Sequence, residues 1–260
     1  MSVIKRNTLS GCILLIGLCG SSAFAQPWLG GGTTWHPFSY ADAQGNPRGI
    51  AVDVVKRVSE QNGLEVAFLF YPANRLNFLL DNGRLDLNYA DSPLWNSADA
   101  GQRFVYSQPY LNVRESLYFL SEHPSRAQPL QQLQGLRVGM VRGYAYPLLS
   151  ETLGDAHLQK VETSDEAALL DLLLRHRVDA IAMVDDVFST LLASRQLDAA
   201  RFTRSVQLSD APLVIKLQRQ HADQLPGVNE ALRKMKESGE IERIRSAYLS
   251  DLAHTPPAPE

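Results

Sequence analysis

Residues 34–57 read Thr-Trp-His-Pro-Phe-Ser-Tyr, then Ala-Asp-Ala-Gln-Gly-Asn-Pro-Arg-Gly, then Ile-Ala-Val-Asp-Val-Val-Lys-Arg, and this stretch decides the fold. The aromatic residues Trp35, Phe38 and Tyr40 precede a Gly-Asn-Pro turn, and apolar residues at helical spacing follow that turn. The aromatic residues therefore occupy a loop in front of a helix. Such a loop can hold a small organic molecule between its rings while the scaffold stays rigid.

The composition of the whole chain is that of an ordinary globular protein. It has 260 residues, of which 45% are hydrophobic and 20% are charged, which allows one large domain or two small ones. The net charge of −3 and the isoelectric point near 6.1 provide no basic surface for a nucleic acid. We therefore expect no nucleic-acid partner.

The N-terminal segment has the pattern of a secretory signal peptide. Lys5 and Arg6 precede a short apolar run over residues 12–19, and small residues lead up to Ala25. The apolar run is too short to span a bilayer as a permanent helix. We expect cleavage after Ala25 and a mature, periplasmic chain that begins at Gln26.

Both cysteines, Cys12 and Cys19, lie inside this segment, so the mature chain should contain no disulfide, no thiolate nucleophile and no cysteine metal site. Leu9 to Cys12 matches a lipoprotein cleavage box, but the apolar run follows Cys12 instead of preceding it. We therefore expect export without lipidation. The histidines show no metal-ligand spacing, and no cofactor is expected.

Strand and helix patterns alternate along the mature chain. The patterns predict a short strand at 28–32, a helix at 50–62, a strand at 64–70, a helix at 74–82 and a strand at 85–89. An extended segment at 104–120 and a polar stretch at 121–129 follow. Further strands are predicted at 136–141, 178–184 and 211–217. Alternation of this kind predicts parallel strands with helices on their faces. Ligands of such sheets bind beyond the carboxyl ends of the strands, so the loops after the strands are the candidate site.

Five stretches, in their order along the chain, carry a resemblance to a known family. They are Trp-His-Pro-Phe-Ser-Tyr (35–40), Gly-Ile-Ala-Val-Asp (49–53), Arg-Leu-Asn-Phe-Leu-Leu-Asp-Asn-Gly-Arg-Leu-Asp (75–86), Leu-Arg-Val-Gly-Met-Val-Arg-Gly-Tyr (136–144) and Ser-Gly-Glu-Ile-Glu-Arg-Ile-Arg-Ser-Ala-Tyr-Leu (238–249). With them the chain resembles the periplasmic solute-binding proteins of ABC importers, of the polar amino acid (family 3) type. The resemblance covers essentially the whole mature chain.

This resemblance implies an α/β fold with two lobes, each a mostly parallel sheet flanked by helices, joined by two hinge strands. Lobe one would comprise residues 26–120 and 216–252, and lobe two residues 121–215, with a disordered tail at 253–260. The protein would be a monomeric receptor without catalysis. It would capture a small polar ligand, an amino acid or a related small zwitterion or carboxylate, by hinge closure and deliver it to an inner-membrane ABC permease.

The chain departs from the family pattern where a ligand carboxylate is usually held. Family members that bind α-amino acids usually carry an arginine after the third strand, and residues 91–103 place none at that position. Arg103 lies about one helical turn later, where it is either a displaced clamp or a surface residue. Ala51 also replaces the first aspartate of the family's Gly-x-Asp-x-Asp segment. The identity of the ligand is therefore open.

In lobe one the resemblance implies an aromatic wall formed by Trp35, Phe38 and Tyr40, which could instead be loop anchors packed under the helix. Arg75 is a candidate anion clamp at a strand end, or otherwise an arginine on a solvated face. The loop that contains Ser92, Trp95 and Asn96 occupies the place of the missing clamp, and Trp95 is a candidate wall of the cleft.

In lobe two the candidate contacts are Arg142, Gly143 and Tyr144, at a strand-to-helix junction where backbone N–H groups are free to bind an anion. The alternative interpretation is a plain turn. Asp185 stands near the place where the family uses an acid to hold a ligand ammonium, although Asp186 could take that role. Both aspartates could also be helix N-caps.

Two other functions remain open. One is a periplasmic enzyme on the same scaffold that resembles the cyclohexadienyl dehydratases, which would need a general acid such as Asp91, Asp185 or Asp186 in the cleft. The other is a receptor whose partner is a membrane sensor instead of a permease, which the sequence alone does not distinguish from a transport receptor.

Overall fold

The computed structural model of the chain describes residues 26–151 and 159–251. The predicted signal peptide, both cysteines and the predicted tail lie outside these residues. The strands are β1 (Trp28–Gly32), β2 (Tyr40–Ala41), β3 (Pro47–Arg48), β4 (Val66–Phe70), β5 (Leu87–Asp91), β6 (Phe104–Tyr106), β7 (Leu111–Leu120), β8 (Arg137–Val141), β9 (Gln159–Thr163), β10 (Ala180–Val184) and β11 (Phe202–Gln218). The helices are α1 (Ile50–Gln61), α2 (Ala73–Asp81), α3 (147–151 as far as described), α4 (Glu166–Leu174), α5 (Asp185–Ser194), α6 (Leu225–Glu237) and α7 (Glu240–Asp251).

The strands form a mixed sheet with parallel segments at both ends. The order is β4-β1-β5-β11-β7-β10-β8-β9, and β6 also pairs with β11. Strands β4, β1 and β5 are parallel to one another, as are β10, β8 and β9. The long strands β7 and β11 pair antiparallel in the middle and connect the two parallel groups. This is the two-lobed α/β architecture that the resemblance implies, with β7 and β11 as the two connecting strands.

Helix α1 forms because its apolar residues recur on one face, and that face is buried. Val52, Val55 and Val58 are all at most 2% exposed. Gly49 precedes the helix at a φ of +123°, where a side chain would overlap the backbone of Phe38. The loop at 34–49 is therefore folded tightly against the start of α1.

The C-terminal helices return to the first lobe, where α6 and α7 pack against α1. The Tyr248 hydroxyl on α7 donates to Asp53 at 2.6 Å and accepts from the backbone N–H of Gly49 at 3.0 Å. These bonds attach the end of the described chain to the first turn of α1. The residue limits of the two lobes stay a prediction.

Some local predictions differ from the structure. The extended segment at 104–120 is divided into β6 and β7, and the strand expected at 211–217 is part of the 17-residue β11. Strand β9 was not expected at all. It is assembled by parallel pairing with β8, a contact that its polar sequence does not indicate. Within the described residues, no helix combines the length and apolar character needed to cross a membrane.

Candidate functional site

A cleft lies between the carboxyl ends of β1 and β5 on one side and those of β8 and β10 on the other, as expected for parallel strands. It encloses about 810 Å³, which includes open solvent at its mouth. It is lined by Thr33, Trp35, Ala73, Leu76, Asn77, Asn88, Ala90, Asp91, Trp95, Asn96, Glu115, Val141, Gly143, Tyr144, Ala145, Tyr146, Glu166, Ala182, Met183 and Val184. This set, drawn from the described part of the chain, contains three acidic residues and no lysine, arginine or histidine.

The two sides of the cleft touch each other. Thr33 Oγ1 and the Tyr144 hydroxyl are 3.2 Å apart, and Asn77 Nδ2 donates to the carbonyl of Gly143 at 3.4 Å. Gly143 has a φ of +86°, and a Cβ there would overlap the side-chain oxygen of Asn74. Glycine therefore allows the second lobe to approach α2 closely, and the structure shows the lobes in contact across the cleft.

Two tryptophans form an aromatic corner of the cleft. The rings of Trp35 and Trp95 lie 6.2 Å apart between centroids and meet edge to face at 82°. Trp95 is held by a short 3₁₀ helix, Pro93–Trp95, which Ser92 caps by accepting from the N–H of Leu94. The corner therefore has a rigid frame on the lobe-one side.

A buried ion pair lies beside this corner. Lys216 Nζ is 3.1 Å from the carboxylate of Asp91, and the two side chains are 5% and 8% exposed. The same carboxylate accepts from Asn88 at 3.0 Å and from Asn96 at 2.8 Å, while Lys216 donates to Asn96 at 2.6 Å. Lys216 also lies 4.3 Å from the ring centroid of Phe104. Both charges of the pair are therefore already engaged within the protein.

Two further carboxyls face the cleft without such partners. Glu115 on β7 is 8% exposed, and Glu166 at the first residue of α4 is 7% exposed. Burial raises the pKa of Glu115 to about 8 and the pKa of Glu166 to about 7, because the ionised form loses its hydration. The Tyr144 hydroxyl lies near the Glu166 carboxyl, and the Oε1 atom of Glu166 has no hydrogen-bond partner among the described residues.

Five of the residues predicted for the site line the cleft: Trp35, Trp95, Asn96, Gly143 and Tyr144. The aromatic loop and the strand-to-helix junction of lobe two therefore meet at one place. Their contact with a ligand stays a prediction.

The other lobe-one candidates lie away from the cleft lining. Phe38 has no exposed surface and packs on the ring of Trp35 in the core, which is the anchoring role considered above. Tyr40 stacks on His36 at 3.9 Å, outside the lining. Arg75 is exposed and lies 5.6 Å from the ring centroid of Phe78. Ser92 is fully buried as the cap of the 3₁₀ helix.

The remaining lobe-two candidates are engaged with other side chains. Arg142 is 3.4 Å from Glu162 on the neighbouring strand. Asp185 accepts from Tyr118 at 2.8 Å and from Arg204 at 2.9 Å. The alternatives discussed above are also paired, since Asp186 lies 3.2 Å from Arg245 and Arg103 pairs with Asp81 at 2.5 Å. In this conformation none of these residues faces the cleft.

Sequence reasoning missed Glu115, Glu166 and Lys216. Glu166 completes a Thr-x-x-Glu pattern with Thr163, which predicts a capping box. In the structure the N-cap is instead Asp165, which accepts from the N–H of Ala168 at 2.9 Å. The positions of Glu115 at the cleft and of Lys216 beside it depend on the pairing of strands that are distant in the sequence. No cluster of acids and histidines suited to a metal ion occurs in the described ranges.

The fold and the cleft define a two-lobed binding protein, and comparison with known proteins assigns the family. Residues 29–251 match the model of the bacterial extracellular solute-binding proteins, family 3, and the chain belongs to that family. This match confirms the resemblance inferred from the five stretches.

Individual relatives are distant. A probable histidine-binding protein of Neisseria gonorrhoeae is 20% identical over 82% of this chain and 79% of its own length. A solved structure of an ancestral arginine-binding protein bound to arginine has a TM-score of 0.73 at 21% identity, over 85% of this chain and 96% of that chain. An ancestral amino-acid-binding protein described as a precursor of cyclohexadienyl dehydratase has a TM-score of 0.68 at 16% identity, over 85% and 93%. These structures support the fold.

Proposed function

We propose that this protein is a receptor that captures a small polar organic molecule, an amino acid or a related small zwitterion or carboxylate, in the cleft. The observation that carries the proposal is the contact between Thr33 and Tyr144 across a cleft lined by Trp35 and Trp95. A ligand that touches both sides is bound best when the lobes are together, so it shifts the population towards the closed state. The names of the histidine- and arginine-binding relatives support this ligand class.

We propose that the protein works as a monomer in the periplasm and delivers its ligand to an inner-membrane ABC permease. Membership of the bacterial extracellular solute-binding proteins, family 3, supports this proposal. A membrane sensor remains the alternative partner. Co-purification of the ligand-loaded protein with the permease encoded beside it, or with a sensor encoded there, distinguishes the two.

A thermal-shift screen tests the proposal. Protein expressed from the full-length sequence is purified and mixed with amino acids, polyamines and small organic acids. A ligand at 100 times its Kd should raise the free energy of unfolding by about 2.7 kcal/mol. Trp95→Ala should abolish the shift, because it removes one side of the aromatic corner. Leu94→Ala should retain it, because Leu94 is 51% exposed beside Trp95 and lies outside the lining.

A second candidate, an enzyme on the same scaffold, rests on one observation. A carboxyl with a pKa of about 7 or 8, as for Glu166 and Glu115, is at least partly protonated at neutral pH and can act as a general acid. Of the aspartates considered from the sequence, Asp91 is held by Lys216, and Asp185 and Asp186 are paired with other side chains.

We favour binding without catalysis over this enzyme. The dehydratase substrates prephenate and arogenate carry carboxylates, and no basic side chain of the described residues lines the cleft to receive them. Incubation with either compound should yield no aromatic product above the uncatalysed rate. Product formation that Glu166→Gln abolishes would establish the enzyme instead.

A further inference from the structure

The cleft is acidic on one side, and the described residues supply no available positive charge to it. Its lining contains Asp91, Glu115 and Glu166, and of these only Asp91 has a cationic partner in the described part of the chain. Lys216 lies behind Asp91, outside the lining, and its ammonium is bound by Asp91 and Asn96. An anionic group of a ligand would therefore find no free cation, while a cationic group would find two carboxyls.

Glu115 and Glu166 both line the cleft and come from different elements. Glu115 comes from β7 and Glu166 from the first turn of α4, and the buried Tyr146 lies within electrostatic reach of both. The Tyr146 hydroxyl accepts a hydrogen bond from the backbone N–H of Val141 at 2.9 Å and does not neutralise either acid. Both carboxyls are more than nine-tenths buried, and Oε1 of Glu166 has no hydrogen-bond partner among the described residues.

Buried carboxyls without a partner are costly for a protein to retain. A buried polar atom that lacks a hydrogen bond costs about 1–3 kcal/mol, and a buried charge is normally paired. Residues of this kind are common where a ligand supplies the missing partner. The aromatic faces of Trp35, Trp95 and Tyr144 line the same cleft, and such rings attract cations.

We propose that the ligand of this cleft is a small organic cation, an amine or a guanidine without a free carboxylate, whose positive group binds between Glu115 and Glu166. This rests on the proposed receptor function and replaces the ligand class given there with a cation that carries no carboxylate. The apolar residues Val141, Met183 and Val184 on the same lining would pack against the hydrocarbon part of the cation.

Calorimetric titration with matched probes tests the proposal. Agmatine and putrescine supply the cation alone, arginine supplies the same guanidinium with a carboxylate, and glutamine supplies a zwitterion without a side-chain cation. Agmatine or putrescine should bind at least tenfold more tightly than arginine, and glutamine should bind least. If arginine or glutamine binds more tightly than both amines, the proposal is overturned while the receptor function stands. If neither these probes nor any amino acid, polyamine or small organic acid of the thermal-shift screen binds, both are overturned.

Neutral variants locate the subsite. Glu166→Gln and Glu115→Gln keep the shape of the side chains and should each weaken the binding of the better amine at least tenfold. Glu122→Gln is the control, because Glu122 is exposed and outside the cleft. Thermal melts of each variant establish that it is folded. Unchanged amine affinity in both folded variants would overturn the assignment to these two acids.

Proton release gives a readout that needs no variant. The titratable groups around the two acids are Tyr144, Tyr146 and Asp165. Of these, the tyrosines stay neutral near pH 7, since burial raises the pKa of each far above its usual value. Burial also keeps Glu115 and Glu166 partly protonated there, so a bound cation must displace protons. At pH 6.5 binding of the amine should release protons from the protein. Calorimetry in buffers of different ionisation enthalpy measures this release. The affinity for the amine should rise towards pH 8. Binding without proton release would contradict the proposal.

Discussion

The Tyr144 hydroxyl lies 3.2 Å from Thr33 Oγ1, although 111 positions separate the two residues in the chain. Thr33 directly follows β1 in the first lobe, and Tyr144 follows β8 in the second. The same Tyr144 hydroxyl also lies near the Glu166 carboxyl on the cleft lining. One side chain therefore joins the contact between the lobes to the acidic side of the cleft.

The first prediction concerns this contact. Tyr144→Phe removes the hydrogen bond to Thr33, and a hydrogen bond contributes about 0.5–1.5 kcal/mol. We expect ligand affinity measured by calorimetry to fall about three- to tenfold, because closure becomes less favourable. Tyr106→Phe is the control, since the Tyr106 hydroxyl is buried with no partner among the described residues. Thr33→Val should add little to Tyr144→Phe, and fully additive losses would contradict a direct contact.

The second prediction uses two glycines with similar backbone conformations. Gly143 and Gly135 have φ values of +86° and +77°, so alanine is strained at both. Only at Gly143 would the added Cβ overlap a side chain of the other lobe, that of Asn74, while the space at Gly135 is open. Gly143→Ala should therefore hold the lobes apart and lower ligand affinity more than tenfold, with a larger radius of gyration in X-ray scattering. Gly135→Ala should lower stability without either change, and equal affinity in the two variants would refute closure at this point.

The third prediction concerns the pair of Asp91 and Lys216. Lys216→Met leaves a buried carboxylate without its cation. We expect this to lower the free energy of unfolding by about 3–5 kcal/mol, the usual cost of breaking a buried ion pair. Urea denaturation measures the loss. Adding Asp91→Asn should restore part of the stability, because the uncompensated charge is then removed. Arg233→Met is the control, since the ion pairs of Arg233 are exposed and should leave the unfolding free energy nearly unchanged.

The fourth prediction follows from the raised pKa values of Glu115 and Glu166. Both carboxyls bind protons more tightly in the folded protein than in the unfolded chain, so the unfolded chain releases them first as the pH rises. The free energy of unfolding should therefore fall between about pH 4.5 and pH 8, by up to about 1.4 kcal/mol per pH unit for each carboxyl. Denaturation at intervals across this range measures the slope. Glu115→Gln and Glu166→Gln should each make the profile flatter, and stability that rises across the range in the ligand-free protein would contradict the assignment.

The architecture could be predicted from the sequence because its signals are local. The valines of α1 recur at helical spacing, and the β-α alternation indicates parallel strands whether or not their order is known. The aromatic loop was also predictable, and Trp35 and Trp95 do line one cleft. The sequence pattern did not distinguish Phe38, a core residue, from the two tryptophans that line the cleft. Phe38 enters the core because the turn folds back, with its N–H donating to the carbonyl of Trp35.

The charged part of the site could not be predicted, because it depends on pairing between distant residues. Lys216 belongs to β11 and meets Asp91 of β5 only through the antiparallel pairing of these strands. Glu115 looks like one residue of an extended segment, and its burial follows from β7 lying between β11 and β10. Glu166 fits the sequence pattern of a helix capping box, so the sequence alone gave no reason to place it on the cleft lining.

A crystal structure of the protein saturated with the tightest ligand from the screen tests the central claim most directly. The account predicts electron density between the aromatic corner of Trp35 and Trp95 and the carboxyls of Glu115 and Glu166, with Thr33 and Tyr144 in contact. Density for the ligand outside this cleft, with Trp35 and Trp95 untouched, would contradict the account.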